Sequence, residues 1–248
     1  MFDTMTVAVI AATFLLAGTV KGVIGLGLPT VSLGLLTAVL DLPTAMALLI
    51  VPSFVTNLWQ AVVGGNSRII LLRIWPFLLM ATATVWIGAI ALTQLSFSLL
   101  AALLGALLIA YAMLNLAGIR LTIPANRELW MGALLGTANG VLTGMTGSFV
   151  VPGVMFLQAI GLSRDMLIQA MGMLFTASTV ALAFALQRNN LMTATLGTVS
   201  AAALAPALIG MIAGQKIRRL LSEARFRKAF FVAILMLGIY IVAISETG

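Results

Sequence analysis

Residues 18–29 read Gly-Thr-Val-Lys-Gly-Val-Ile-Gly-Leu-Gly-Leu-Pro, and no other stretch constrains the chain as tightly. Four glycines, Lys21 and Pro29 interrupt an otherwise apolar N-terminal region. Glycine surrenders the most backbone entropy in a helix and offers no side chain to pack. A looser copy returns at residues 136–148, Gly-Thr-Ala-Asn-Gly-Val-Leu-Thr-Gly-Met-Thr-Gly-Ser. Inside a bilayer, broken backbone is tolerated only where protein or a water-filled cavity satisfies its polar groups. Two such breaks at corresponding places in two halves predict a binding site between the halves.

The membrane setting follows from composition. The chain is 62% hydrophobic and 8% charged, whereas a soluble domain carries about 25% charged residues. The fold class is therefore all-α, a polytopic membrane protein. A net charge of +7 would suggest nucleic acid in a soluble protein. Here the basic residues fall in short loops and set topology, so no nucleic-acid partner is expected. Cys and His are absent, which removes thiol chemistry and the imidazole relay. The six acids, Asp3, Asp41, Glu128, Asp165, Glu223 and Glu246, lie near segment ends or in loops. No enzyme, cofactor or metal site is expected from such a set. Asp3 precedes the first apolar run without a basic residue, a poor signal peptide, so that run reads as part of the mature fold.

Hydropathy divides the chain into ten segments, five per half. The first half holds 5–20, 22–40, 44–63, 69–92 and 97–119. The second holds 129–139, 148–162, 166–186, 191–213 and 226–244. The polar stretch 120–128 separates repeat 1 (1–120) from repeat 2 (126–248) within one transmembrane transporter domain. The first two segments of each repeat are short and glycine-broken, either spanning or re-entrant. An odd number of segments per half makes the repeats inverted. Placing the N-terminus outside puts Arg68, Arg73, Arg120, Arg127, Arg164 and the six basic residues of 216–228 on the cytoplasmic side. Both termini are then non-cytoplasmic.

Lys21 is the one charge well inside a membrane segment. It reads either as a cation facing an anion or as a lysine snorkelling to an interface. The glycine breaks, through Gly22, Gly25 and Gly27 and through Gly140, Gly144 and Gly147, leave backbone N–H groups at half-helix starts, which bind anions. Close helix packing through small residues is the competing explanation. Asn139 occupies the place of Lys21 in the second repeat, and Thr143, Thr146 and Ser148 add hydroxyls there. Asn57, Gln60 and Gln169 either line the cavity or form interhelical hydrogen bonds. Pro52 is expected to kink its helix.

At these glycine stretches the chain resembles the TauE/SafE family of sulfite and organosulfonate exporters. Its small all-helical members have two related halves, each opening with a Gly-rich segment. The carriers are residues 18–27 with Pro29, and residues 136–148. The glycine triplet common in the family is replaced by Gly25-Leu26-Gly27 and Gly144-Met145-Thr146-Gly147-Ser148. The resemblance implies movement of small sulfur-containing or carboxylate anions across a bacterial cytoplasmic membrane. The partners are then the anion and the bilayer, with a homo-oligomer left open. Two other readings stand beside it, a channel-like pore for a small neutral solute and a membrane scaffold without transport.

Overall fold

The computed structural model describes residues 2–245 except Arg120, Arg219 and Leu221, and of Glu223 only the backbone. The cations Arg120 and Arg219, the acid Glu246 and the side chain of Glu223 thus lie outside the described residues. The described residues are all-helical, in the order α1 (Thr4–Ile24), α2 (Leu28–Thr37), α3 (Leu42–Val62), α4 (Ser67–Ala83), α5 (Val85–Gln94), α6 (Phe97–Leu116), α7 (Glu128–Thr146), α8 (Gly153–Ala159), α9 (Arg164–Arg188), α10 (Ala194–Ile217) and α11 (Glu223–Ser245). A 3-10 turn, Ala125–Arg127, precedes α7. Among the described residues, seven stretches are long and apolar enough to cross a membrane, namely α1, α3, α4 with α5, α6, α9, α10 and Ala224–Ser245.

Short polar side chains set where helices begin. Asp3, Ser96, Ser163 and Thr193 each accept a bond from the backbone N–H three residues on. Asp41 does the same for Thr44 at 2.8 Å. Each satisfies one of the N–H groups that a helix start leaves without an internal acceptor.

Two expected boundaries are corrected. The first segment does not stop at Val20: α1 runs through Lys21 and Gly22 to Ile24, 21 residues in all. The sixth segment likewise continues through Gly136, Gly140 and Gly144 to Thr146. Only the second segment of each half is short, 10 residues in α2 and 7 in α8. The physical reason is that most of these glycines sit in contact with another helix, which offsets their poor propensity.

The chain divides into two compact units, and the division falls inside α3 between Pro52 and Ser53. In the first unit α1 packs along α10, α6 along α11, and α2 against α1 and α11. A Cβ on Gly18 or Gly22 would overlap the carbonyl oxygens of Ala207 or Met211, and one on Gly210 or Gly214 those of Leu15 or Thr19. The Gly-x-x-x-Gly spacing therefore brings two backbones together. Pro52 has no N–H for the Leu48 carbonyl, its usual helical acceptor. The Ser200 hydroxyl of α10 donates to that carbonyl at 2.8 Å and accepts from Val51 N–H at 3.1 Å.

In the second unit α7 packs along α4 and α5, while α9 packs against α4, α5, α7 and α8. Gly136, Gly140 and Gly144 lie against the carbonyls of Phe77, Ala81 and Val85, and Gly88 against that of Val141. Arg73 forks onto Glu128 at 2.6 and 2.8 Å and donates to the Ile160 carbonyl at 2.6 Å. One guanidinium thus ties the start of α7 and the end of α8 to α4.

Candidate functional site

Each unit contains one break. In the first, α1 ends on Gly25 at φ +79°, whose N–H closes on the Lys21 carbonyl at 2.8 Å. Gly27 at φ +107° then starts α2, with Pro29 in its first turn. Both glycines hold left-handed conformations that a side chain disfavours. Residues 28–31 are buried, so the first N–H groups of α2 face protein and not solvent. Lys21 is 5% exposed and sits in the last turn of α1, where a cation complements the helix end.

In the second unit α7 ends on Gly147, φ +73°, and an irregular run precedes α8. This elbow is braced from within. Thr143 Oγ1 donates to the Ser148 carbonyl at 2.9 Å, and Thr146 Oγ1 accepts from Ser148 N–H at 3.2 Å. The Val151–Pro152 peptide bond is cis. Asn139 Oδ1 accepts from Gly153 N–H at 2.9 Å, at the start of α8. A Cβ on Gly153 would overlap that amide, so glycine is required there by space.

Two donors at the elbow have no protein acceptor, Asn139 Nδ2 and Ser148 Oγ, and both residues are buried. A buried polar atom left without a partner costs about 1–3 kcal/mol, so each such atom calls for an explanation such as strain, an ordered water or a bound ion. Neither residue is charged. Amide and hydroxyl donors of this kind suit an oxyanion, since hydrogen bonds to a charged group are roughly twice as strong as neutral ones.

The remaining candidates separate by role. Gly22, Gly140 and Gly144 make close helix contacts, while Gly25, Gly27 and Gly147 make the breaks. Gln60 Nε2 donates to the Ile168 carbonyl at 2.6 Å. Gln169 donates to the Ala61 carbonyl at 2.9 Å and Ser67 Oγ at 2.7 Å, and accepts from Asn66 N–H at 3.2 Å. These two amides lock α3, α4 and α9 of the second unit. Asn57 is fully buried on α3 beside Gly172 of α9. Sequence reasoning passed over Ser53, Ser178 and Thr179, whose buried hydroxyls also have no protein partner.

A profile of the sulfite exporter TauE/SafE family matches residues 10–241. The chain belongs to that family. Nearly the whole of this TauE/SafE protein, including both breaks, lies inside the match. No curated protein and no solved structure matches the chain. The family consists of membrane transporters for sulfite-type anions, which agrees with the seven apolar helices and with a non-enzymatic role.

Proposed function

We propose that this TauE/SafE protein is a secondary transporter that moves small sulfur-containing or carboxylate anions across the cytoplasmic membrane by alternating access. The glycine-broken helix end of each unit is a candidate anchor for the anion. The observation that carries this reading is the elbow of the second unit, where buried, uncharged donors on Asn139 and Ser148 lack acceptors. Lys21, one turn before the other break, supplies the cation of the first unit. The halves 1–120 and 126–248 act as inverted repeats. Reciprocal pairing supports this: the first helix of one half, α1, packs on α10, and the first of the other, α7, packs on α4 and α5. Both termini face away from the cytoplasm, as the basic loops require.

Counterflow in proteoliposomes tests the reading. Vesicles loaded with unlabelled sulfite should take up radiolabelled methanesulfonate transiently and saturably. Non-saturating passage of a neutral solute would favour a pore, and absence of any flux a scaffold.

A further inference from the structure

In the first unit, Tyr111 of α6 is fully buried and its hydroxyl has no protein partner. A buried tyrosine usually finds a partner for its O–H. The ring itself is well packed, meeting the Phe231 ring of α11 edge-on with centroids 5.3 Å apart. Phenylalanine would fill the same space without the stranded group. Packing therefore accounts for the ring and not for the oxygen.

The contacts of α11 set Tyr111 beside the break. Helices α6 and α11 run in opposite directions: a Cβ on Gly105 would stand 2.7 Å from the Gly238 carbonyl oxygen, Tyr111 meets Phe231, and Arg227 donates to Asn115 Oδ1 at 3.1 Å. Helices α2 and α11 run in the same direction. A Cβ on Gly27 would stand 3.4 Å from the Phe230 ring, and one on Gly34 2.6 Å from Leu237 Cδ2. Phe231 is thus level with the start of α2, and so is Tyr111. Leu108, three residues before Tyr111 and on the same side of α6, also reaches α2, 3.4 Å from a Cβ on Gly34. The first turn of α2 is buried, and its leading N–H groups have no carbonyl of their own helix to meet.

We infer that Tyr111 is an anion contact of the first unit, its hydroxyl donating to a ligand oxygen beside the first turn of α2. The inference rests on the anion reading above. The phenol has one proton to give, and an anion oxygen is the acceptor that the fold does not supply. A hydrogen bond to a charged group is roughly twice as strong as a neutral one, so the hydroxyl adds affinity while adding nothing to the fold. Lys21, in the last turn of α1, brings charge to the same break, and Tyr111 brings direction.

The chain has two tyrosines, and the other, Tyr240, is exposed. Full-length protein labelled with 3-fluorotyrosine therefore gives two fluorine resonances, and Tyr240→Phe identifies the one from Tyr111. Titrating the purified protein with methanesulfonate should move the Tyr111 resonance saturably and leave that of Tyr240 in place. Tyr111→Phe keeps the ring and removes a stranded polar group, so without anion it should melt at or above the wild-type temperature. Its methanesulfonate affinity should fall about tenfold to a hundredfold, and Tyr240→Phe should change neither property. Saturable wild-type uptake with an unmoved Tyr111 resonance, or with wild-type affinity in Tyr111→Phe, overturns this inference and leaves the transporter reading intact. A lower melting temperature of anion-free Tyr111→Phe assigns the hydroxyl to the fold and overturns the inference in the same way. Absence of anion uptake by the wild type overturns both.

Discussion

The contact between α1 and α10 predicts a paradoxical effect of Gly22→Ala. Alanine is the better helix former by about 1 kcal/mol, so an isolated helix would gain. In the folded unit the new methyl would overlap the Met211 carbonyl oxygen and lie 2.9 Å from both Gln215 N and Gly214 Cα. Carbon atoms settle at about 3.5–4.0 Å and the Met211 oxygen is closer than Gln215 N or Gly214 Cα, so the helices must separate by roughly one ångström. A gap of that size forfeits about a quarter to a half of each local dispersion contact. Overpacking of this kind costs about 1–3 kcal/mol, and rigid backbone on the opposing side places this case at the top of the range. Subtracting the propensity gain leaves about 2 kcal/mol of destabilisation. For a chain of this length that lowers the melting temperature by about 4–8 °C, measurable by circular dichroism in detergent. Gly65→Ala is the reference, since Gly65 has φ +74° and no atom within 4 Å of an added Cβ, so only backbone strain enters. A Gly22→Ala protein as stable as wild type, or more so, would refute the packing role of the Gly18–Gly22 pair.

Three further outcomes follow from the same contacts and from the topology. Ser200→Ala removes the group that serves both the Leu48 carbonyl and the Val51 N–H, and should cost about 1–3 kcal/mol; Ser200→Thr should recover most of that in the same thermal assay. Lys21→Met should leave the fold intact while weakening anion affinity about tenfold to a hundredfold; affinity equal to wild type, with Arg188→Met as loop control, removes Lys21 from the site. In this cysteine-free chain, Ser222→Cys should resist an impermeant thiol reagent on intact cells while Thr247→Cys reacts, and the opposite pattern would reverse the orientation.

The membrane class and the helical spans were legible because hydropathy and segment length are written directly in the residues. What the breaks do was only half legible. Gly18, Gly22, Gly136, Gly140 and Gly144 look like the glycines of a break, yet they lie inside helices and face opposing carbonyls. Within these two stretches, Gly25, Gly27 and Gly147 are the described glycines that turn the chain. One residue type serves both purposes, and the four-residue spacing is the sole sequence sign of packing. Gly147 ends α7 as Gly25 ends α1. Gln60 and Gln169 are polar residues of an apolar helix whose partners are distant in sequence, so spacing alone could not separate cavity lining from interhelical bonding. Ser178 and Thr179 carried no signal, because a helical hydroxyl normally satisfies itself and only coordinates reveal that these do not.

The central claim is that the elbow donors hold the anion, and Asn139→Asp tests it most directly. The change keeps an oxygen for Gly153 N–H and replaces the donor Nδ2 with an acceptor. Equilibrium binding of radiolabelled methanesulfonate to the purified protein should fall by at least tenfold near neutral pH, where the carboxylate repels the anion. It should return in part as the pH falls and the aspartate gains a proton. Wild-type affinity at neutral pH in a folded Asn139→Asp protein would contradict the claim.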